Sequence, residues 1–487
     1  MTLEEVLRDI PHSYARGATD ILSVTDVVYD SRRVSSGSLF VCVPGAAHDG
    51  HTFAPDAMQK GAAALLVERE LDLMIPQIIV QDARDALALA SANFFGNASH
   101  RMQVVGVTGT AGKTTITMLV EHMLRTSSKA CGIIGTVSNR IGDHVFEHKY
   151  TTPESRDLQE LLGCMADMGA QAVSMEVSSH ALLTHRCAHT HFAVAAFTNL
   201  SREHMDLHPN MEHYFATKSR LFLEEDVASR VVWTSSTWGS RLARMLHEAG
   251  LEVVEVSYDS CADVHLVNCK SRGLCGSLVH ATAFGQSLRF ELPLPGTFNV
   301  ENALIALAIA CKLGLDPMSA AASLESFPGV PGRMERIDTG DRGFWAVVDF
   351  AHTPDELSCA IQAAKEGTTG RVAAVFGCGG DRDQGKRPMM GKAAAQADLV
   401  VVTSDNPRSE DPANIAAQTV AGMGSDAPHA HVQLDRRKAI REALAWAQPG
   451  DVVLIAGKGH ESTQTAKGET IHFDDRKVVA EELLAME

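Results

Sequence analysis

The sequence predicts an α/β protein of three units: a small N-terminal α/β unit, a central P-loop ATPase-like parallel-sheet unit, and a C-terminal doubly wound, Rossmann-like unit. Three observations carry this. A β-branched run, Gln103–Val107, leads through Gly109-Thr110-Ala111-Gly112-Lys113-Thr114-Thr115 into the amphipathic stretch ITMLVEHMLR. Beyond Gly332, four strand-like runs alternate with helical patterns, and each run ends in a polar segment bearing Gly or Pro. The length, 487 residues, suits about three domains.

In the first hundred residues, the short apolar runs Ser38–Val43, Ala62–Val67 and Gln77–Val80 stand between Gly and Pro punctuation. They read as strands between helices. The opening MTLEEVLRDI is acidic and amphipathic, unlike a signal peptide. In the middle third, continuous apolar character marks Gln103–Val107 as a buried parallel strand, with further strands expected at Ala172–Val177, Ala193–Thr198 and Val231–Thr234. In the last third, the strands expected are Trp345–Phe350, Val372–Phe376, Leu399–Thr403 and Val452–Ala456. Their trailing loops are DFAHTPDE, GCGGDRDQGKR, SDNPR and AGKGHE. Ligands bind outside the carboxyl ends of an open parallel sheet, so these four loops should converge on a second binding site. The domains expected are residues 1–101, 102–333 and 334–487.

Composition narrows the class. With 45% hydrophobic and 21% charged residues, the chain reads as an ordinary globular protein. The longest apolar stretch, Ala303–Cys311, stops at Lys312 and falls short of the ~20 residues of a membrane span. A formal charge of −17 argues against nucleic acid as a partner. Ten cysteines run from Cys42 to Cys378 without a C-x-x-C pair, so reduced thiols and a cytoplasmic location are expected. The 22 histidines include no H-E-x-x-H pattern.

Several residues have the chemistry of a site. In a strand–loop–helix context, the backbone N–H groups of Gly109–Thr115 can cradle phosphates, Lys113 can reach the terminal phosphate, and the Thr114 hydroxyl can meet Mg²⁺. Strict P-loop spacing would place Gly at 107, where this chain has Val107, so the loop is a shorter variant. Glu176, in SMEVSSH at a strand end, is placed to hold a metal near those phosphates. TNLSREHMDLH contributes His204, Asp206 and His208. His204 and His208 stand at zinc-pair spacing, but without an evident third ligand. Read alone, Lys218 in HYFATKSRLF is a solvated helical lysine.

Taken in order, TGTAGKTT, SMEVSSHALLTHR, FTNLSREHMDLH, Lys218 in its context, GTFNVENALIALA, PGRMERI, VVDFAHTPDEL, GCGGDRDQGKRPMMG, SDNPR and GKGHE resemble the Mur ligases. These are the ATP-dependent amino-acid ligases of peptidoglycan precursor synthesis, and the likeness spans essentially the whole chain. The resemblance implies that Thr114, Glu176, His204 and a carbamylated Lys218 surround Mg²⁺, with Lys113, Lys218 and His204 catalytic. It implies that Asn299, Asn302, Arg333 and Asp349 approach ATP. Tyr29, Ser31, Ala46, Ala47 and His48 would bind uridine, and Thr151, Thr152, Ser178, Thr184 and Arg186 the muramoyl dipeptide. Within the family, Asp405-Asn406-Pro407-Arg408 resembles the signature of diaminopimelate-adding members; Arg382, Gly457 and Glu461 would complete that pocket.

The reaction so implied adds meso-2,6-diaminopimelate to the D-glutamate of UDP-N-acetylmuramoyl-L-alanyl-D-glutamate through an acyl phosphate, by a monomer. The alternatives are lysine-adding, D-Ala-D-Ala-adding or folylpolyglutamate-forming relatives and, from another class, a P-loop nucleotide-dependent regulator. The chain departs from the family pattern at Ala111 (usually Asn), Phe350 (usually Tyr) and Thr184 (often Gln).

Overall fold

The computed structural model describes residues 1–17, 21–45, 48–147, 149–424 and 430–486. In the N-terminal unit, five strands lie in the order Ser13–Ala15, Gln77–Ile79, Ala64–Val67, Ser38–Val41, Asp26–Val28, and only the first is antiparallel. Ser38–Val41 and Ala64–Val67 are buried at every residue, as continuous apolar strands covered on both faces must be. Leu39, Val41 and Leu66 face the helix Ala83–Phe94, while Phe40, Leu65 and Val67 face the helix Ala54–Gln59. The strands at Ser13–Ala15 and Asp26–Val28 were not expected; at three residues each, they are too short to leave an alternation.

The central sheet has eleven strands. Seven form its parallel heart, in the order Val264–Ser271, Val254–Ser257, Val227–Trp233, Phe192–Phe197, Gln103–Thr108, Ala172–Glu176, Cys131–Ile134. Antiparallel pairings add Asn139–Ile141 and His144–Phe146 at one edge, and Ser277–Ala283 and Gln286–Leu292 at the other. On one face pack the helices Lys113–Thr126 and Thr297–Lys312. The second explains the long apolar stretch: it is a core helix buried on nearly every side. No described helix is long and apolar enough to cross a membrane.

The C-terminal sheet runs Glu335–Ile337, Trp345–Asp349, Val452–Ala456, Val372–Phe376, Leu399–Val402, Ala430–Val432, antiparallel only at the first strand. The last long strand, Val452–Ala456, inserts between Trp345–Asp349 and Val372–Phe376. Chain order therefore switches there, and a crevice opens at the carboxyl ends. A hairpin, Thr463–Ala466 with Glu469–His472, lies outside the sheet and was not expected from the sequence. Its residues are largely polar and exposed, so neither strand carries a hydrophobic period. Where the chain enters this unit, Gly332 crosses the GKGH loop so closely that a Cβ would stand 2.1 Å from the His460 nitrogen.

Candidate active site

The carboxyl ends of the two larger sheets face each other across a cleft of about 520 Å³. Its first wall is the loop after Gln103–Thr108. Gly109 admits no side chain, because a Cβ there would lie 1.9 Å from Thr198 Oγ1. Thr198 Oγ1 donates to the Ala111 carbonyl at 2.7 Å, and the Ala111 N–H donates to Asn199 Oδ1 at 2.9 Å. The Ala at 111 therefore costs the loop none of these backbone ties. Lys113 Nζ donates to the Gly109 and Thr110 carbonyls at 2.9 and 2.7 Å, folded over its own loop. Thr115 is buried in the first turn of the helix. Asn302 packs against Gly112, and its Nδ2 donates to Asn299 Oδ1 at 3.2 Å, so both asparagines sit beneath the loop.

Glu176 ends its strand with a fully engaged carboxylate. It accepts from Thr114 Oγ1 at 3.0 Å, from the Thr136 N–H at 2.8 Å and from Thr136 Oγ1 at 3.0 Å. Such partners fix the orientation of a would-be metal ligand. Lys218 is 1% exposed, far from the solvated lysine its isolated reading suggests. Its Nζ donates to the Gly109 carbonyl at 2.8 Å and pairs with no carboxylate among the described residues. Burial, reinforced by the Lys113 charge, holds its pKa well below the ordinary lysine value, against the weaker pull of Glu203. The amine is thereby shifted toward its neutral, nucleophilic form. His204, at φ +56°, lines the same cleft, and burial lowers its pKa.

His204 and His208 do not converge as a zinc pair. Residues 204–208 form a turn, and His208 is buried with Nε2 2.9 Å from Ser179 Oγ and Nδ1 3.0 Å from His213 Nδ1. Burial and the neighbouring His213 push the His208 pKa down to about 4.

Thr151, Thr152, Ser178 and Arg186 line the cleft beside Glu176. Thr152 Oγ1 donates to the Glu176 carbonyl at 2.8 Å, Ser178 Oγ caps the following helix, and Arg186 pairs with Glu154 at 2.8 Å. Thr184 lies outside the lining and donates to the His180 carbonyl. The N-terminal residues also stand apart from this lining. Tyr29 Oη donates to Asp157 at 2.7 Å, the Ser31 carbonyl accepts from Lys60, and the exposed His48 lies edge-on to Phe53. Ala46 and Ala47 lie outside the described residues.

The opposite wall belongs to the C-terminal unit. Arg333 stacks its guanidinium 4.5 Å from the centre of the Phe350 ring, which gives Phe350 a role that needs no hydroxyl. Arg333 Nε is buried without a hydrogen-bond partner among the described residues. Asp349 accepts from the Met334 and Ala351 N–H groups, each at 2.7 Å, and burial raises its pKa to about 6. It thus anchors the Arg333 segment from below. The cleft continues into a pocket lined by Arg382, Asp405, Asn406, Arg408, Gly457 and Glu461. Asn406 Nδ2 donates to Glu461 at 3.0 Å and its Oδ1 accepts from the Thr465 N–H, which ties this loop to the unexpected hairpin. Arg408, at φ +52°, donates from Nη1 to the Gly380 carbonyl at 2.7 Å. Pro407 is buried, its carbonyl accepting from the Glu410 N–H.

Sequence reasoning missed the residues that join the two walls. Glu203 Oε1 lies 2.6 Å from His352 Nε2, and His352 Nδ1 lies 3.2 Å from Glu356. Burial opposes both charges, yet the pairing holds Glu203 below and His352 above their ordinary values. Arg387, fully buried, binds Glu410 through two nitrogens at 2.9 and 2.7 Å and the Gly379 carbonyl at 3.2 Å, knitting the 379–383 loop to the Arg408 loop. Glu203 and His352 had one signal, their places in the strand-end segments SREH and DFAHTPDE. Arg387 had none beyond its neighbours.

The chain matches the family models described as Mur ligase family, catalytic domain over residues 23–95, Mur ligase middle domain over 107–310, and Mur ligase, glutamate ligase domain over 332–459. It is 40% identical over 488 residues to the UDP-N-acetylmuramoyl-L-alanyl-D-glutamate--2,6-diaminopimelate ligase of Syntrophomonas wolfei, covering 99% of each chain. The protein of the same name from Streptomyces coelicolor is 43% identical, covering 94% of this chain and 92% of that one. A solved structure of a ligase so named superposes with a TM-score of 0.73 at 32% identity, covering 100% and 99% of the two chains.

Proposed function

Because the chain belongs to the Mur ligase family, we propose that it joins meso-2,6-diaminopimelate to the D-glutamate of UDP-N-acetylmuramoyl-L-alanyl-D-glutamate at the expense of ATP. It is an ATP-dependent acid–amino-acid ligase of peptidoglycan precursor synthesis. The observation that carries the ligation reading is the continuity of the cleft. Its phosphate end and its amino-acid end share Glu203, His204, Asp206, Phe350, His352 and Arg382, so a phosphorylated carboxylate and an incoming amine can meet in one enclosure.

A carboxylate does not react with an amine at neutral pH until it is activated. Phosphoryl transfer from ATP to the D-glutamate side chain gives an acyl phosphate. The amine then attacks its carbonyl carbon, and phosphate leaves as the amide forms. Transfer between two anions needs fixed positive charge, which Lys113 and the loop N–H groups supply. Arg333, with a buried nitrogen that lacks a partner among the described residues, fits an anion in the cleft. Mg²⁺, when bound, neutralises phosphate charge; Thr114, Glu176 and His204 offer oxygen and imidazole ligands for it. Lys218 fits the same purpose once its neutral amine adds to the carbon of CO₂ and releases a proton, since the resulting carbamate sets an anion beside Lys113 where a neutral amine stood. The Glu203–His352 contact helps hold the C-terminal unit over the reacting groups and exclude water from the acyl phosphate.

Diaminopimelate carries a carboxylate and an ammonium at both ends. Arg382 and Arg408 answer the carboxylates, and Asp405 and Glu461 the ammonium groups; L-lysine lacks the far carboxylate that Arg would grip. Tyr29, Ser31, Ala46, Ala47 and His48 are assigned to the uridine end, and Thr151, Thr152, Ser178, Thr184 and Arg186 to the dipeptide. The protein acts as a cytoplasmic monomer built of domains 1–101, 102–333 and 334–487. A coupled phosphate-release assay with ATP, the UDP-muramoyl dipeptide and a panel of amino acids tests the reading. Diaminopimelate should be strongly preferred over L-lysine, and Arg408→Ala should weaken its use by about tenfold or more, the scale of a charge-assisted pair. Equal use of L-lysine by the unaltered enzyme would refute the assignment.

A further inference from the structure

At the amino ends of the central strands, opposite the carboxyl ends that carry the P-loop, three neighbouring parallel strands begin close together: Gln103–Thr108, Phe192–Phe197 and Val227–Trp233. Just ahead of them stand His100, His191 and Asp226. One nitrogen or oxygen from each lies within 4.8 Å of the other two, the sole such grouping among the described residues. The imidazoles of His100 and His191 stack nearly parallel, 4.9 Å between centres and 16° between planes. His191 Nδ1 lies 2.7 Å from Asp226 Oδ2.

The backbone brings these side chains together. The His191 N–H donates to Ser99 Oγ at 3.1 Å, which ties it to the residue beside His100. The Phe192 N–H donates to the Asp226 carbonyl at 2.8 Å, which ties it to the third member. The nearby cations are already engaged: Arg101 with Asp167 at 2.6 Å and Lys129 with the Leu313 carbonyl at 2.9 Å. A solvent-open depression of about 600 Å³, lined by both histidines, gives an ion access.

We propose that His100, His191 and Asp226 form a divalent-cation site suited to zinc, which staples the connector between the N-terminal and central units to the base of the central sheet. Two imidazoles and a carboxylate suit a borderline ion such as Zn²⁺. Two ligand atoms on one tetrahedral zinc, at bonds of ~2.1 Å, stand about 3.4 Å apart. On that tetrahedral spacing the widest separation in the trio closes by about 1.4 Å and the His191–Asp226 contact opens by about 0.7 Å, movements made by side-chain rotation. The ion takes the place of the proton between His191 Nδ1 and Asp226, and that proton passes to solvent. The remaining positions hold water. Because His100 closes the short helical turn Ala98–His100, between the helix Ala83–Phe94 and the first central strand, the bound ion fixes that turn to the sheet.

The test titrates Zn²⁺ alone into the full-length protein by calorimetry, with Mg²⁺ in excess to cover the catalytic cleft. The wild type is compared with His100→Gln and Asp226→Asn. Each variant should lose one equivalent of binding, or weaken it by about tenfold or more, the scale on which metal-supporting groups act. Unchanged ligation activity without zinc will show that the variants fold. Zinc should also slow amide exchange across residues 98–103 in the wild type and not in the variants. Equal zinc binding by all three proteins, or an anomalous zinc peak placed elsewhere in crystals, would overturn the site.

Discussion

The phosphate end of the cleft is built around one run, Thr110–Thr114, joined by Glu176, His204 and Lys218 from neighbouring elements, whereas the amino-acid end draws chiefly on residues 377–386, 405–408 and 457–461 of the C-terminal unit. The first is held by short-range backbone ties and by Thr198 and Asn199 from the adjacent strand. The second is held by buried ionic groups: Arg387 with Glu410 and Arg436 with Asp475. A contiguous loop can be set by its own geometry and one neighbouring strand. A site assembled from distant segments needs side chains that only join one loop to another, and these never touch the ligand.

That difference can be tested by breaking each end. Lys113→Ala should have the largest effect, a fall of about a hundredfold or more in ligation, because it removes a fixed cation from the transferring phosphoryl group. Activity within about tenfold of wild type would place the phosphates elsewhere. Next, Lys218→Ala should abolish ligation while equilibrium ATP binding persists, and acetate or formate should restore part of the rate. Full turnover without any added acid would exclude a carbamate role.

At the other end, Arg387→Met removes two charge-assisted hydrogen bonds to a partly exposed Glu410, a loss of about 1.5–3 kcal/mol. The expected result is a lower Tm and a KM for diaminopimelate raised about tenfold, with the KM for ATP unmoved. A parallel rise in both KM values would mean that the two ends are not independently built.

The smallest effect concerns the seam between the N-terminal and central units, where His189 Nε2 lies 3.0 Å from Asp85. Their hydrogen bond raises the His189 pKa above 6.5 and lowers that of Asp85 below 3.8. The histidine contribution is complete below about pH 6.5 and fades as pH climbs through the raised value; the aspartate contribution is complete above about 3.8 and fades as pH falls through the lowered one. His189→Gln should therefore reduce Tm by a small margin at pH 6, within the ~1 kcal/mol of an exposed pair, and leave it unchanged at pH 9. An equal loss at both values would mean that packing, not charge, joins the seam.

Much of the architecture was legible for the same reason the phosphate end was. Long runs such as Gln103–Val107 and Val452–Ala456 are buried on both faces, so composition alone marks them as strands. Strands of three residues, and the polar hairpin Thr463–His472, left no period to read. Among site residues, Glu176 stood out because a carboxylate closes an apolar strand. Lys218 could not be told from a surface lysine without its family context, since its burial arises from elements remote in sequence. Arg387 and Glu203 work through partners 23 and 149 positions away, a relation no local pattern encodes.

The crossing of Gly332 over the GKGH loop has a meaning for heredity. A Cβ at Gly332 would lie 2.1 Å from the His460 nitrogen, and one at Gly459 would lie 2.6 Å from the Gly332 carbonyl. Neither strand of the crossing can yield to the other, because both are backbone. Nearly every missense change at either codon therefore damages the junction of the catalytic units at once. The two codons form a linked pair that drift cannot explore one step at a time, and a conditional-lethal allele of this chain is best sought there.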